Sequence, residues 1–318
     1  MKVHKRENGW RCERMKLGLL SAILSNHSFE EVINKASEVG YESVEMACWP
    51  KGEAERRYAG VTHIDVSQIN QEKIKYIKNY CFHKKVEIAA LGYYPNILDP
   101  DKEKSQLFIQ HLKTLISLSK ALNVNKVITF IGKDKDLSVE ENIQLFKEIW
   151  VPIIQYAEKE SVWVGIENCP MYFTKDEWPG GLNLASAPYI WRQLFTLIDS
   201  EYFGLAYDPS HLHAQGMDYI KPLYEFKHKI KHIHLKDILV YKDKIDEYGI
   251  FTYPLNYMSP KIPGRGGIDW SSFIAALYDI KYEGSACVEI EDKSFEDSGE
   301  NIIKAVEISF RHLKQFVK

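Results

Sequence analysis

Short apolar runs recur along the chain, and a longer stretch with helical spacing follows most of them. Such runs are typical of parallel strands that are covered on both faces. The pattern predicts eight strands, over Lys16–Ser21, Ser43–Met46, Val86–Leu91, Lys126–Phe130, Trp163–Glu167, Phe203–Tyr207, Ile230–His234 and Gly284–Glu289. Strands that alternate with helices indicate an α/β fold, and eight of them predict a single (β/α)8 TIM barrel.

The helical stretches carry ordinary start and stop signals. Ser28 followed by Glu31 predicts a capping box, and Gly40 marks the end of that helix. Pro152 is expected to kink the fourth helix or to split it in two. The other predicted helices cover Asn70–Lys84, Lys102–Leu122, Ser138–Lys159, the stretch before Ile198, about Tyr219–Lys229, Trp270–Ile280 and Asn301–Phe316.

Two long segments without clear periodicity follow the fifth and seventh strands, at about Asn168–Ala187 and Val240–Gly267. Loops at the carboxyl end of barrel strands build the active sites of this fold. Both segments are therefore expected to fold over the same rim as a lid.

Length and charge narrow the class of protein. A chain of 318 residues fits one barrel, and the polar Met1–Arg14 is expected to be an N-terminal extension before a barrel domain of residues 15–318. A net charge of −3 provides no basic field for nucleic acid. No window reaches the roughly 20 apolar residues of a membrane helix. Five scattered cysteines favour reduced thiols in a cytoplasmic protein.

Metal-capable side chains end the last four predicted strands: Glu167, Asp208, His234 and Glu289. Parallel strands point the same way, so these side chains are expected to converge over one rim. Three carboxylates and one imidazole suit a hard divalent cation, and manganese is the expected ion, with magnesium, cobalt or zinc as alternatives. Taken singly, such an acid is more often a helix cap or an ion-pair partner, and a histidine inside a strand is more often a core residue. Glu291 competes with Glu289 because the two share a face of the strand.

Further polar residues near the strand ends are candidates for binding a substrate. His211 follows Asp208 by three positions, Lys236 follows His234 by two, and Arg265 lies in a glycine-rich turn. Asn96, Glu45, His63 and Asn168 are weaker candidates, after strands or in rim loops. A helix-start role for His211 and an ion pair for Lys236 are the structural alternatives. Four aromatic residues could form a wall against the apolar face of a sugar: Trp49, Tyr94, Trp178 and Tyr253.

In the order and spacing of its motifs, the chain from Lys16 onward resembles the sugar phosphate isomerase/epimerase superfamily, the xylose-isomerase-like barrels. That group includes ketose 3-epimerases, inosose dehydratases and endonuclease IV. The motifs that carry the resemblance are Gly40-Tyr41-Glu42-Ser43-Val44-Glu45, Ile166-Glu167-Asn168, Asp208-Pro209-Ser210-His211, His232-Ile233-His234-Leu235-Lys236-Asp237, Pro263-Gly264-Arg265-Gly266-Gly267-Ile268-Asp269-Trp270, Tyr282-Glu283-Gly284 and Val288-Glu289-Ile290-Glu291-Asp292.

The resemblance implies a function as well as a fold. It places Glu167, Asp208, His234 and Glu289 at the family's metal ligands, and Glu167 and Glu289 at its acid/base pair. It therefore implies a metal-dependent sugar or sugar phosphate isomerase or epimerase that removes a proton beside a metal-bound carbonyl. A keto-inositol or keto-sugar dehydratase on the same scaffold is the alternative. The expected partner is a small sugar or polyol, with a homo-oligomer left open.

An endonuclease IV-like DNA-repair enzyme is a third hypothesis, from a different class. Such an enzyme needs additional histidine ligands, whereas this chain has Thr129-Phe130-Ile131-Gly132 and Ile262-Pro263-Gly264-Arg265 at the corresponding places. The acidic charge balance also disfavours binding to DNA. The sequence thus favours a small-molecule enzyme.

Overall fold

The structure, a computed structural model, describes residues 14–52, 58–172, 181–252 and 255–318. Eight parallel strands close into a barrel in the order β1-β10-β7-β6-β5-β4-β3-β2. Their bounds are β1 Lys16–Leu20, β2 Ser43–Ala47, β3 Glu87–Gly92, β4 Lys126–Thr129, β5 Trp163–Glu167, β6 Phe203–Tyr207, β7 Ile230–Leu235 and β10 Ser285–Val288. The predicted (β/α)8 barrel is therefore confirmed, with every predicted strand in place.

The helices pack outside the barrel or lie in the connections that follow its strands. Their bounds are α1 Phe29–Val39, α2 Gln71–Lys84, α3 Lys102–Leu122, α4 Val139–Glu160, α5 Pro188–Leu197, α6 Pro209–Ala214, α7 Lys221–Glu225, α8 Lys242–Tyr248, α9 Trp270–Asp279 and α10 Gly299–Lys314. Short 3₁₀ turns cover Ser21–Leu24, Val66–Gln68 and Lys293–Phe295. The predicted capping box of Ser28 and Glu31 is present, and Gly40 ends α1 with a φ of 107°.

Two of the helix predictions need correction. The α4 helix runs through Pro152 as one element, so it is not split there, and the alternative of a kink stays a prediction. The predicted helix at about Tyr219–Lys229 shrinks to the short α7, Lys221–Glu225, because the neighbouring residues form turns around it. A proline at the second position of α7 supports this short helix, since the first turn does not require that N–H.

The second long segment has a structure that the sequence pattern did not predict. Strands β8 (Asp237–Val240) and β9 (Met258–Lys261) form an antiparallel hairpin outside the barrel. The short α8 helix lies within the connection between them. The hairpin begins two residues after β7 ends, so it rises from the rim at which His234 and Lys236 lie.

The buried Asp237 carboxylate anchors the base of this hairpin. It accepts hydrogen bonds from the backbone N–H of Gly264 at 2.9 Å and of Ile268 at 3.1 Å, and from Trp270 Nε1 at 3.0 Å. A Cβ on Gly266 would lie 2.1 Å from Asp237 Oδ1, so this close approach requires glycine. The glycine-rich turn is thus built around one carboxylate.

The core between barrel and helices contains stacked aromatic rings. Phe146 of α4 is fully buried and lies 6.2 Å from the Trp150 ring and 6.1 Å from the Phe203 ring of β6, measured between centroids. We expect Phe146→Ala to lower the free energy of unfolding by about 3–5 kcal/mol, because it removes a buried ring and leaves a cavity.

Urea unfolding followed by circular dichroism measures this loss. Phe82→Ala is the matched control, since the Phe82 side chain is 80% exposed and its truncation should change stability by less than about 0.5 kcal/mol. Equal losses in the two variants would contradict the assignment of Phe146 to the core.

Candidate metal centre

The four side chains predicted from the strand ends converge at the carboxyl end of the barrel. One ligand atom from each of Glu167, Asp208, His234 and Glu289 lies within 4.8 Å of the others, and all four residues are buried. They come from the ends of β5, β6, β7 and β10, which are successive neighbours in the barrel. The arrangement therefore follows from strand order.

Hydrogen bonds to the backbone hold the Asp208 carboxylate in place. Asn168 Nδ2 donates to the Asp208 carbonyl at 2.9 Å, and the Asp208 N–H donates to Asn168 Oδ1 at 2.8 Å. The Ser210 N–H donates to Asp208 Oδ1 at 2.8 Å, which leaves Oδ2 facing the cluster. Asp208 is thus both the N-cap of α6 and a member of the site.

The His234 imidazole is fixed from behind by Glu45 of β2. Its Nε2 lies 2.8 Å from Glu45 Oε2, and Nε2 of His232 lies 2.7 Å from the same oxygen. Tyr94 Oη donates to the other Glu45 oxygen. His234 Nδ1 faces the cluster, 3.7 Å from Glu167 Oε1 and 3.6 Å from Glu289 Oε2.

A buried ammonium group lies beside the carboxylates. Lys236 Nζ donates to Glu289 Oε1 at 3.0 Å and lies 3.2 Å from Asp208 Oδ2 and 3.5 Å from Glu291 Oε2. His211 Nε2 lies 3.2 Å from both Glu167 Oε1 and Asp208 Oδ2. Both predicted neighbours of the site are therefore in contact with its carboxylates.

The donor set and its unpartnered atoms fit a divalent cation. His234 Nδ1 and Glu289 Oε2 are buried and have no hydrogen-bond partner, whereas the buried Asp208 Oδ2 has ion-pair contacts with Lys236 and His211 at 3.2 Å. An unpartnered buried polar atom is costly, so two of them in one cluster indicate that a ligand belongs there. Among the described residues in and beside the cluster there are four buried carboxylates and one buried lysine. The carboxylates are Glu45, Glu167, Asp208 and Glu289, and the lysine is Lys236, so a bound cation would balance part of the negative charge.

The two glutamates have opposite pKa shifts. Burial raises the pKa of Glu289 to about 7, and although Lys236 opposes this, the negative charges of Glu167 and Glu291 add to it. Burial acts in the same direction on Glu167, but contacts with His211 and His234 outweigh it and hold its pKa well below the usual range. Glu167 is therefore the ionised member of the pair and Glu289 the one that holds a proton more readily.

A cavity opens over the cluster. Its polar lining includes Glu45, Glu167, Lys236, Glu289 and Glu291. The rest of the lining is mostly apolar and aromatic, and it contains Leu20, Ala22, Ala47, Trp49, Tyr58, Tyr94 and Phe130. Trp49 and Tyr94 thus lie where the sequence analysis expected an aromatic wall, whereas Trp178 and Tyr253 fall outside the described residues.

The weaker substrate candidates lie in other surroundings. Asn96 joins two rim loops through the Lys133 backbone, donating to its carbonyl at 3.0 Å and accepting from its N–H at 2.8 Å. His63 contacts Ser21 Oγ at 3.0 Å and the Leu24 carbonyl at 3.1 Å. The Arg265 guanidinium lies 4.8 Å from the centre of the Phe295 ring. Asn168 anchors Asp208, as described above. A substrate role for these four residues stays a prediction.

Sequence reasoning gave too little weight to Glu45 and did not consider His232. A charged residue in the otherwise apolar, fully buried β2 strand was the available signal, because a buried carboxylate requires partners. Those partners lie 187 and 189 positions away along the chain, so no local pattern could identify them.

A family model described as a xylose isomerase-like TIM barrel matches residues 33–316, so the chain belongs to that family. An inosose dehydratase of Mesomycoplasma hyopneumoniae is 25% identical over 309 residues, covering 89% of this chain and 90% of the relative. An inosose dehydratase of Clostridium perfringens is 33% identical over 118 residues, which span 36% of this chain but only 39% of the relative's length.

Solved structures share the fold at low sequence identity. The IOLI protein with a zinc atom aligns with a TM-score of 0.70 at 17% identity, covering 96% of this chain and all of that one. D-Psicose 3-epimerase with D-tagatose, from Clostridium cellulolyticum H10, aligns with a TM-score of 0.69 at 14% identity and the same coverage. Among the helices of the described residues, none has the length and apolarity to cross a bilayer.

Proposed function

We propose that this protein is a metal-dependent enzyme that removes a proton from the carbon beside the carbonyl of a keto-polyol. The observation that carries this proposal is the buried cluster of Glu167, Asp208, His234 and Glu289, in which His234 Nδ1 and Glu289 Oε2 have no hydrogen-bond partner. These four residues would hold the cation, and a mostly oxygen donor set favours manganese, with zinc as the alternative. A bound divalent cation supplies Lewis-acid polarisation of the substrate carbonyl.

The chain's own residues supply the proton transfers. Glu167, the ionised glutamate, is the base that takes the proton from carbon. Glu289 and Lys236 lie 3.0 Å apart and together form an acid/base pair on the other part of the cluster. Positioned groups of this kind typically contribute about 10²–10⁴-fold in rate.

The buried Lys236 ammonium favours loss of water as the overall reaction. After Glu167 has removed the carbon-bound proton, a hydroxyl on the next carbon leaves and needs a proton. Lys236 can provide it, so one molecule of water is eliminated and one C=C bond forms. The similarity to the inosose dehydratase of M. hyopneumoniae over 89% of this chain supports a keto-inositol or related keto-polyol as the substrate.

Isomerisation or epimerisation is the second candidate, and the paired glutamates favour it. If Glu289 returns a proton to carbon instead of assisting departure of a hydroxyl, the product is an isomer or epimer of the substrate. The first proton transfer is common to both reactions, so only the fate of the intermediate separates them.

The reaction run in deuterium oxide tests the proposal. Keto-inositols and ketoses are incubated with manganese-loaded protein and followed by NMR, and ultraviolet absorbance detects the conjugated product of dehydration. We expect loss of water, with deuterium at the carbon beside the carbonyl in recovered substrate, because proton removal can reverse before the hydroxyl leaves. An epimer or isomer without loss of water, with deuterium at that carbon of the product, would favour the second candidate. Dehydration of substrate deuterated at that carbon, with the deuterium kept there in the product, would contradict proton abstraction.

The cell compartment is part of the same proposal. Cys48, Cys81, Cys169 and Cys287 are free thiols, and this supports a reducing compartment such as the cytoplasm.

A further inference from the structure

Glu45 lies beneath the cluster and is one of its most deeply buried charged groups. Its side chain is 1% exposed, and it lies in the β2 strand among apolar neighbours. Taking a carboxylate out of water costs several kcal/mol unless hydrogen bonds replace the lost solvent. The role of Glu45 is therefore to be sought in the side chains that form hydrogen bonds with it.

Three side chains from two elements of the rim provide those hydrogen bonds. Tyr94, which follows β3, donates to one Glu45 oxygen, and Nε2 of His232 and His234 bond to the other. His232 and His234 are two positions apart on β7, so both rings project from the same face of the strand. One carboxylate oxygen can therefore serve both rings.

The contact with Glu45 commits the two ring nitrogens of His234 to different tasks. Nε2 carries the proton of the hydrogen bond to Glu45, so the lone pair that remains for ligation is on Nδ1. That atom has no hydrogen-bond partner and lies 3.7 Å from Glu167 Oε1 and 3.6 Å from Glu289 Oε2. A ligating histidine is commonly held by a carboxylate on its other nitrogen, which sets both its tautomer and its orientation.

Glu45, His232 and His234 are themselves close enough together to hold a cation. The 2.7 and 2.8 Å separations between Glu45 Oε2 and the two Nε2 atoms are normal hydrogen-bond lengths. Each Nε2 is thus engaged through a proton, which leaves it no lone pair for a metal. This favours Glu45 as an acceptor rather than as a ligand.

We propose that Glu45 is the positioning residue of the metal centre, because it fixes the Nε2–H form of His234 and so aims Nδ1 at the cation. His232 and Tyr94 in turn hold Glu45. This inference rests on the proposed function only in requiring that the centre binds a divalent cation, and it adds a residue that acts through His234 without being a ligand of the cation.

Titration of the metal-free protein with zinc chloride in a calorimeter tests the role of Glu45. We expect Glu45→Met to weaken zinc binding by about 10–100-fold, as is typical for loss of such a partner. Glu45→Gln should lie between Glu45→Met and the wild type, because its amide oxygen can still accept from an imidazole. Glu291→Gln removes the same charge from a carboxylate that pairs with Lys236, and it should have a smaller effect than Glu45→Met.

A second measurement separates positioning from a general loss of structure. Nitrogen-15 NMR of the histidine rings in zinc-loaded protein should show the His234 proton on Nε2, with slow exchange into solvent. In zinc-loaded Glu45→Met that proton should exchange quickly, and in Tyr94→Phe, which keeps the acceptor but removes one hydrogen bond that holds it, the exchange should be slower than in Glu45→Met. Melting temperatures of the metal-free variants check that each of them folds.

Zinc affinity and Nε2–H exchange that are unchanged in Glu45→Met would overturn the proposal. Failure of the wild type to bind zinc or manganese would overturn the metal centre and this inference with it. Neither measurement depends on turnover, so an incorrect substrate or reaction would instead appear in the deuterium experiment.

Discussion

Glu167→Gln is expected to lower turnover by about 10²–10⁴-fold, and Glu289→Gln by a similar factor. An amide has nearly the same shape as a carboxylate but cannot accept the substrate proton at neutral pH. Each variant keeps an oxygen that faces the cluster, and the other three ligand-type side chains remain. Steady-state kinetics with a keto-inositol, together with metal analysis of the same samples, measures the effect.

Glu291→Gln is the matched control for this experiment. Glu291 lines the same cavity and contacts Lys236, but it is outside the four-residue cluster. Its substitution should reduce turnover far less than that of Glu167. If Glu167→Gln retains its metal and turns over substrate at the wild-type rate, then Glu167 is not the base.

The second large effect is expected for the double substitution Asp208→Ala/His234→Ala, which should abolish stoichiometric binding of a divalent cation. It removes two of the four ligand-type side chains, including the unpartnered Nδ1 of His234. A ligand that binds only the folded protein stabilises it by about 2.7 kcal/mol at a free concentration one hundred times its Kd. Wild-type protein should gain that stability with manganese, and the double variant should gain none.

Elemental analysis and urea unfolding with and without manganese measure these two outcomes. Asp199→Ala/His228→Ala makes the same chemical changes at exposed positions and should behave as the wild type does. Full metal content in the Asp208→Ala/His234→Ala variant would show that the cation binds elsewhere.

The barrel strands and the four-residue cluster could be predicted because their signals are local. An apolar run specifies a buried strand, and the residue at its end is placed by the strand direction alone. Glu167 and Asp208 needed no knowledge of distant contacts, since parallel strands bring their ends to one rim. The Ser28 capping box is likewise contained within four residues.

The residues that hold the ligand side chains in position could not be predicted, because their role depends on contacts between segments that are distant in the sequence. Glu45 meets His234 across 189 positions, and nothing near Glu45 in the sequence distinguishes it from an ion-pair partner. The hairpin of β8 and β9 was missed for a related reason. Its two strands are short, α8 lies between them, and neither strand has the clear alternation that marks a half-buried strand.

Polar residues in rim loops present a different difficulty. Asn96 and His63 look alike in sequence whether they bind a substrate or hold loops together. In the structure their neighbours are backbone groups and a serine, which gives each a structural role already. The type of a residue and its position near a strand end therefore do not show whether it holds a loop in place or binds a substrate.

The anchoring of the hairpin through Asp237 has a consequence for how such a protein can diversify. The Asp237 carboxylate accepts the hydrogen bonds that hold its base, from Gly264, Ile268 and Trp270, while β8 and β9 pair with each other. Sequence between the two strands can therefore vary in length and character while the base and the neighbouring rim keep their geometry. Substitutions at the tip of the hairpin can therefore change what it contacts while the residues of the metal centre keep their positions.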